Sequence, residues 1–196
     1  RDWAAVVERI AVDTTIQEVI LSGGDPLTLD TSRLHEITAA LADIPHVRRL
    51  RIHTRQPVVL PERVDAALVG WLSGIAMNVA IVIHVNHANE IDAGVRTALS
   101  ALKETGATLL NQSVLLRGVN DSADALYALS EALFSAGVLP YYLHLLDPVA
   151  GAAHFDVPEN EARELLRQVH ARLSGYLVPR LVREVPDRDG KTLINL

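Results

Sequence analysis

The stretch Val79–His87, which reads VAIVIHVNH, decides the fold class of this chain of 196 residues. Its first five residues are all apolar, a composition typical of a strand that is buried on both faces of a parallel sheet. The run becomes polar at His84, and an amphipathic segment, Asp92–Glu104, follows it. A buried strand followed by an amphipathic helix is the repeating unit of parallel α/β proteins, so the stretch predicts a βα unit.

The same unit recurs on both sides of this stretch. The predicted strands are Glu18–Ser22, Arg48–His53, Val79–Val85, Thr108–Leu115 and Tyr141–Leu146. The predicted helices are Asp2–Val12, Thr31–Ala42, Pro61–Leu72, Asp92–Glu104, Ser122–Ala136 and Glu159–Leu173. Asp92 and Ser122 are predicted N-caps, and Gly106 and Gly137 are predicted helix-ending glycines. Because a complete barrel has eight repeats over about 250 residues, we expect an α/β fold that is a partial barrel or a doubly wound sheet, with Val178–Leu196 as an extra strand and loop.

Composition narrows the possible functions. Hydrophobic residues make up 49% of the chain and aromatic residues only 4%, so the core is built mainly from Leu, Val, Ile and Ala. The net charge of −6 argues against a nucleic-acid partner held through phosphates. With no cysteine, the chain has neither disulfides nor thiolate metal ligands. No apolar run approaches the roughly 20 residues that span a bilayer, and no signal peptide precedes the first helix, so we expect a cytoplasmic protein without a membrane partner.

Polar residues concentrate where the predicted strands end, and active sites of parallel α/β folds lie at those ends. In chain order they are Ser22, Gly23, Gly24, Asp25, His53, His84, His87, Asn111, Gln112, Ser113 and Asp147. Burying one such group without a partner costs about 1–3 kcal/mol. A polar cavity at the mouth of the sheet explains all of them together.

Two kinds of chemistry remain open at this point. In one, His53, His84, His87 and Asp147 bind a divalent metal in a barrel hydrolase. Strand alternation weakens that hypothesis, because it places His84 and His87 on opposite faces if the strand continues through both. In the other, the cavity holds a cofactor, and the glycine pair after the first strand exposes backbone N–H groups to it. Lys191, which ends a polar turn, is then either a solvated lysine or the site of a Schiff base.

An ordered series of motifs covers essentially the whole chain. It consists of SGGDPL (22–27), RLRIHTR (49–55), PVVLP (57–61), NHANE (86–90), LNQSVLLRGVND (110–121), PYYLH (140–144), GAAHF (151–155) and SGYLVP (174–179). The series resembles the lysine 2,3-aminomutase family of radical-SAM enzymes. The resemblance implies a partial (β/α)₆ radical-SAM barrel over residues 1–177, and a C-terminal extension over residues 178–196 that carries a cofactor-binding lysine.

The resemblance also implies roles for individual residues. Lys191 stands where the family's lysine forms a Schiff base with pyridoxal phosphate, and Asp147 and Glu184 stand where carboxylates bind the side-chain ammonium of L-lysine. The residues that match S-adenosylmethionine positions are Ser22, Gly23, Gly24, Asp25, His84 and Gln112. No metal ligand is implied among these residues. The implied reaction moves the α-amino group of lysine to the β-carbon, using S-adenosylmethionine, pyridoxal phosphate and a [4Fe–4S] cluster.

Departures from the family pattern refine this hypothesis. Glu184 replaces the aspartate of catabolic members. Together with the motifs YYLH and GAAHF, it favours the branch of the family that makes (R)-β-lysine for the modification of elongation factor P. The ligase that modifies this factor is then a candidate partner. The family's CxxxCxxC cluster loop precedes the first helix seen here, and the chain has no cysteine. We therefore expect an N-terminally truncated member that is inactive alone. A non-catalytic cofactor-binding barrel is the alternative.

Overall fold

The structure, a computed structural model, describes residues 3–185 and 190–196. Its strands are β1 (Glu18–Leu21), β2 (Arg49–Thr54), β3 (Asn78–His84), β4 (Thr108–Val114), β5 (Leu139–His144), β6 (Arg180–Arg183) and β7 (Thr192–Leu193). Its α-helices are α1 (Trp3–Val12), α2 (Thr31–Ala42), α3 (Gln56–Val59), α4 (Ala66–Ser73), α5 (Ala93–Glu104), α6 (Ala123–Ser135) and α7 (Glu159–His170). None of the described helices is long and apolar enough to cross a membrane.

The chain divides into two compact units. The first contains the residues up to Ile83 together with Thr97–Leu109, and the second contains His84–Arg96 and the residues from Leu110 onwards. In the first unit β1, β2 and β3 pair in parallel. In the second unit β4, β5 and β6 pair in parallel, and β7 pairs with β6 in the antiparallel sense. The predicted parallel βα organisation is therefore confirmed.

The two faces of the first unit's sheet differ in character. Leu50, Ile52 and Ile81 are completely buried and share one face. Because side chains alternate along a strand, Arg51 lies on the other face. There its guanidinium is 2.8 Å from the carboxylate of Glu18, and both side chains are partly buried. One face of the sheet is thus apolar at these positions, and the other combines this ion pair with buried apolar residues such as Val82.

The second unit has its own hydrophobic core, in which Leu143 of β5 and Leu166 of α7 are completely buried. The register of the pairing between β4 and β5 shifts by one residue between Asn111 and Gln112. After this shift Gln112 lies opposite Tyr142 in the ladder. The irregularity therefore decides which side chain of β5 lies beside the amide of Gln112.

The predicted helix boundaries with cap chemistry are confirmed. The side chains of Asp92 and Ser122 accept hydrogen bonds from the backbone N–H three residues further on, at 2.9 Å and 3.1 Å. Gly106 and Gly137 have φ angles of 83° and 80°, in the left-handed region that glycine adopts without steric cost. These boundaries could be predicted because each depends on a single local interaction.

The predicted helix Pro61–Leu72 is wrong in its first half. The structure has a 3₁₀ turn at Pro61–Arg63, and α4 begins only after Asp65. The carboxylate of Asp65 accepts a hydrogen bond from the backbone N–H of Leu68 at 2.8 Å, which makes Asp65 the N-cap. An aspartate is more stable capping a helix than inside one, because its side chain competes for backbone N–H groups.

The C-terminal segment contains two strands where one was predicted. β6 extends the sheet of the second unit through its pairing with β5, and β7 returns beside β6. Lys191 immediately precedes β7. Two other predictions involve residues outside the described ranges: Asp2 at the start of the first helix, and Pro186–Asp189 in the polar turn before Lys191.

Candidate functional site

The glycine pair after β1 forms a turn with open space beside it. Gly23 and Gly24 have φ angles of 85° and 69°, which residues with a side chain rarely adopt. A Cβ atom built on either glycine would meet no heavy atom within 4 Å. The backbone is therefore accessible to a ligand at this point, as expected for a turn that presents N–H groups.

Asp25 holds this turn against the next strand. Its Oδ1 accepts hydrogen bonds from the backbone N–H of Leu27 at 3.0 Å and from the hydroxyl of Thr54 at 2.7 Å. Its Oδ2 accepts the backbone N–H of Arg55 at 2.5 Å. Both carboxylate oxygens are thus used to join the ends of β1 and β2. This arrangement makes Asp25 a residue that positions the glycine turn.

In the second unit, Gln112 carries an unsatisfied polar atom. Its Oε1 is buried and has no hydrogen-bond partner among the described residues. Leaving a buried acceptor without a donor costs about 1–3 kcal/mol, so such groups call for an explanation in a native structure. A ligand that donates a hydrogen bond at this position would remove the cost. His84, at the end of β3, belongs to the same unit.

Asparagine side chains fix the ends of β3 and β4. The amide of Asn111 bonds both the N–H and the C=O of Val85, at 2.8 Å and 3.1 Å. Asn120 donates to the carbonyl oxygens of Asn86 and Val114, both at 2.9 Å. Asn111 and Asn120 are at most 1% exposed. Asn111, grouped above with the residues of a polar cavity, is therefore a buried structural group instead.

Lys191 and Glu184 form an ion pair above an aromatic ring. The ammonium of Lys191 donates a hydrogen bond to the Glu184 carboxylate and lies 5.9 Å from the ring centroid of Tyr142. The side chain of Lys191 is 25% exposed. The hydrogen bond and charge of Lys191, and then the charge of His144, lower the pKa of Glu184 below its usual range. An amine beside an aromatic face and a carboxylate can bind an aldehyde cofactor covalently.

Tyr142 was not among the predicted site residues. It lies opposite Gln112 in the ladder, and its ring is edge-on to that of His144 at 5.9 Å. Its hydroxyl accepts a hydrogen bond from the neighbouring tyrosine at 2.9 Å. The motif PYYLH at a strand end indicated that a tyrosine lies near the site. Strand alternation alone does not show which of the two tyrosines faces Gln112, because the ladder is irregular here.

Asp147 lies just after β5, and its side chain is exposed. It is distant in sequence from the Lys191–Glu184 ion pair. It borders a hollow of about 430 Å³. The hollow is lined by Leu146, Asp147, Pro148, Val149, Ala150, Ala152, Ala153 and Asp156. An exposed carboxylate at the edge of an apolar hollow can bind a ligand that has a cationic end and a hydrocarbon stem.

The hydrolase alternative finds no support in this geometry. Within residues 3–185 and 190–196, no group of three or more His, Asp or Glu side chains is placed to hold a metal ion. β3 ends at His84, so the alternation argument does not apply to His87. His87 instead caps a 3₁₀ turn, and its Nδ1 accepts the N–H of Asn89 at 3.2 Å.

Solved structures with the same fold identify the fold of this chain. A radical SAM methyltransferase from Sphaerobacter thermophilus matches 92% of the chain and 54% of its own length, with a TM-score of 0.58 and 19% identity. Streptococcus suis SuiB matches 93% of the chain and 42% of its own length, with a TM-score of 0.64 and 11% identity. No protein-family model matches the chain. The chain has the α/β fold of radical SAM enzymes, which confirms the predicted fold class.

Sequence relatives narrow the class further. The L-lysine 2,3-aminomutase of Escherichia coli is 48% identical over 196 residues, which are 100% of this chain and 57% of that protein. The enzymes of the same name from Haemophilus influenzae and Clostridium subterminale are 46% and 40% identical over 98% and 90% of the chain, and these matches span 57% and 42% of their own lengths. The chain thus spans about half the length of the curated relatives it matches. Over nearly its whole length the chain is therefore similar to L-lysine 2,3-aminomutases.

Proposed function

We propose that this chain contributes the cofactor- and substrate-binding residues of an L-lysine 2,3-aminomutase. The observation that carries the proposal is the 48% identity to such an enzyme across all 196 residues. The placement of Lys191 beside a carboxylate and an aromatic ring supports it. The reaction moves the α-amino group of L-lysine to the β-carbon.

The glycine turn of the first unit fits S-adenosylmethionine. Gly23 and Gly24 leave their backbone open to a ligand, Ser22 precedes them, and Asp25 positions the turn. For His84 and Gln112 of the second unit the same role is proposed from the family resemblance alone, and the buried Oε1 of Gln112 is available for a donor. S-adenosylmethionine, with a [4Fe–4S] cluster, supplies the radical that abstracts a hydrogen atom from the substrate. Since the chain has no cysteine, thiolate ligands of the cluster do not come from these residues.

Lys191 fits the attachment of pyridoxal phosphate. Its Nζ would hold the cofactor covalently, and the ring of Tyr142 would limit the approach of water from one side. Pyridoxal phosphate supplies the conjugated system that carries the migrating nitrogen. In this proposal Glu184 orients Nζ until the cofactor is attached, because its carboxylate accepts the lysine's hydrogen bond.

Asp147 and Glu184 suit a substrate with a cationic side chain. Each provides a carboxylate that can bind the distal ammonium of L-lysine, and the apolar lining beside Asp147 suits the methylene stem. A substrate with an acidic side chain, such as glutamate, would be repelled by both groups. This charge pattern is the physical reason for preferring L-lysine.

We further propose that the product is (R)-β-lysine and that it serves the modification of elongation factor P, with the modification ligase as partner. Support comes from Glu184, which replaces the aspartate of catabolic members, and from the motifs YYLH and GAAHF. A direct test is chiral chromatography of the product, followed by transfer to elongation factor P. The (S) product, or no transfer, would contradict this part of the proposal.

Borohydride trapping tests the role of Lys191. The chain has only two lysines, Lys103 and Lys191, so a peptide map resolves the labelling completely. We expect pyridoxal phosphate followed by borohydride to label Lys191, and Lys191→Arg to remove that label. Lys103 is an exposed lysine in α5 and serves as the internal control. Labelling of Lys103 alone, or of neither lysine, would refute the proposed attachment site.

A further inference from the structure

Two residues with separate proposed partners bind each other in this structure. Lys191 is the proposed cofactor lysine, and Glu184 is a proposed carboxylate for the substrate's ammonium. Their side chains nevertheless form an ion pair. Each proposed role requires that this pair be broken.

We propose that Glu184 binds two cations in turn: the ammonium of Lys191 before the cofactor is attached, and the distal ammonium of the substrate afterwards. The inference rests on the proposed function and deepens it. Attachment of the cofactor then creates part of the substrate site, so the cofactor binds before the substrate.

The two residues of the ion pair lie next to the ends of two paired strands. In the antiparallel ladder Val182 lies opposite Leu193, and Arg183 lies opposite Thr192. Glu184 follows Arg183 and Lys191 precedes Thr192 in the chain, so the pairing of β6 with β7 brings the two side chains close together.

A second ion pair links the strand residue before Glu184 to helix α7. The guanidinium of Arg183 lies 3.1 Å from the carboxylate of Glu159 at the start of α7. Glu159 also binds Arg163 of the same helix at 2.6 Å. These contacts anchor the end of β6, so Glu184 is held at a defined position beside Lys191.

Charge explains why one carboxylate cannot serve both cations equally well. Glu184 carries a single negative charge, and the ammonium of Lys191 neutralises it. Among the described residues, Tyr142, whose ring lies below the Lys191 ammonium, and His144, whose charge also acts on Glu184, are further titratable groups beside the pair. Neither side chain is a carboxylate, so neither can replace Glu184 as the partner of a second ammonium.

Attachment of the cofactor changes what Lys191 offers to Glu184. The ammonium first loses a proton to solvent, and Nζ then forms a C=N bond with the aldehyde carbon while the aldehyde oxygen leaves as water. An ammonium has three N–H donors and a positive charge, whereas the neutral C=N nitrogen formed in this step has neither an N–H nor a charge. Glu184 therefore loses its hydrogen-bond partner and becomes available to the substrate.

Amine labelling tests the first half of this inference without requiring catalysis. The chain is treated with a trace of acetic anhydride at pH 8, and the labelling of Lys191 relative to Lys103 is read by peptide mass spectrometry. Because ion pairs at exposed sites are weak, we expect Glu184→Gln to raise the Lys191/Lys103 ratio about two- to fivefold. Glu62→Gln removes an exposed carboxylate from the 3₁₀ turn Pro61–Arg63 of the first unit and should leave the ratio unchanged. An unchanged ratio in Glu184→Gln would overturn the inference.

Ligand binding tests the second half. The probe is 6-aminohexanoate, which keeps the distal ammonium and the carboxylate of lysine but lacks the α-amino group. By calorimetry, after removal of unbound pyridoxal phosphate, we expect the wild-type chain to bind the probe about two- to fivefold more tightly with the cofactor attached than without it. In Glu184→Gln this difference should disappear.

The outcomes separate the inference from the proposed function. If pyridoxal phosphate does not attach to Lys191, the proposed function and the inference both fail. If it attaches but probe affinity is the same before and after attachment, only the inference fails. Rescue by Glu184→Asp would show that the carboxylate charge, and not the side-chain length, matters; no rescue together with an unchanged labelling ratio would refute a charge-based role.

Discussion

Replacing Asn120 by alanine would remove three hydrogen bonds at the ends of β3 and β4. The Oδ1 of Asn120 accepts the backbone N–H of Leu116 at 2.7 Å, and its Nδ2 donates to the carbonyls of Asn86 and Val114. The side chain is completely buried. The cavity left by alanine would therefore expose three backbone groups to the protein interior without partners.

The expected loss of stability follows from these three bonds. A typical intramolecular hydrogen bond contributes about 1 kcal/mol net, so the loss amounts to about 3 kcal/mol. For a chain of this length, each kcal/mol lowers the melting temperature by about 2–4 °C, so we expect a decrease of about 6–12 °C. Asn120→Asp should be at least as destabilising at neutral pH, because a carboxylate oxygen would face two carbonyl oxygens in place of an N–H donor.

Urea unfolding followed by circular dichroism measures the effect, with Asn89→Ala as the matched control. Asn89 is exposed and uses its backbone N–H, not its side chain, in its hydrogen bond to His87. The control should lie within about 0.5 kcal/mol of wild type, as surface substitutions usually do. A loss below about 0.5 kcal/mol for Asn120→Ala would refute the reasoning, because it would mean that the three backbone groups find other partners.

Three further predictions concern the site itself. Gly24→Ala should cost about 1–2 kcal/mol, because its φ of 69° is left-handed, and it should weaken S-adenosylmethionine binding measured by calorimetry. Glu184→Gln should lower the melting temperature slightly at pH 7. The pKa of Glu184 is lowered from its ordinary value of 4.5, mainly by its hydrogen bond from Lys191. The ion pair therefore stabilises the fold fully above pH 4.5. The difference in melting temperature between wild type and Glu184→Gln should vanish as the pH falls through the lowered pKa. This chain alone should form no β-lysine after anaerobic reconstitution, because it has no cysteine to hold the cluster.

Each of these predictions has a control and a contrary outcome. Gly70→Ala places a methyl group in open space on a helix and should not weaken the protein; equal losses for both alanines would contradict the argument from φ. A stability difference for Glu184→Gln that persists unchanged in acid, once the Glu184 carboxylate is protonated, would show that the pair is not its cause. Turnover by the reconstituted chain would refute the prediction of inactivity.

Sequence reasoning succeeded where one local interaction decides the outcome. The alternation of apolar strands and amphipathic helices needs only hydrophobic burial along the chain. The caps at Asp92 and Ser122 each depend on a hydrogen bond three residues away. Asp65 caps its helix through an interaction of the same local kind. The predicted helix Pro61–Leu72 is wrong because it places this capping residue inside the helix.

The site depends on contacts that no local pattern contains. Asp25 reaches Thr54 across 29 positions and Asn120 reaches Asn86 across 34. The residue that faces Gln112 is decided by a shift within the ladder. The amino-acid order alone does not distinguish these contacts from other possible pairings, because they form only when strands distant in sequence pair with each other.

The sequence by itself determined the fold class, the resemblance to lysine 2,3-aminomutases and the chemical types available at the strand ends, because burial patterns and motifs can be recognised along the chain. Only the tertiary structure decided how those groups are used. In the structure the Asn111 side chain is buried and hydrogen-bonded to the backbone, Asp25 positions the glycine turn, and the ring of Tyr142 lies beneath Lys191. The tertiary structure also brought Glu184 into an ion pair with that lysine, because the register of the antiparallel ladder next to them is a property of two paired strands and not of either strand alone.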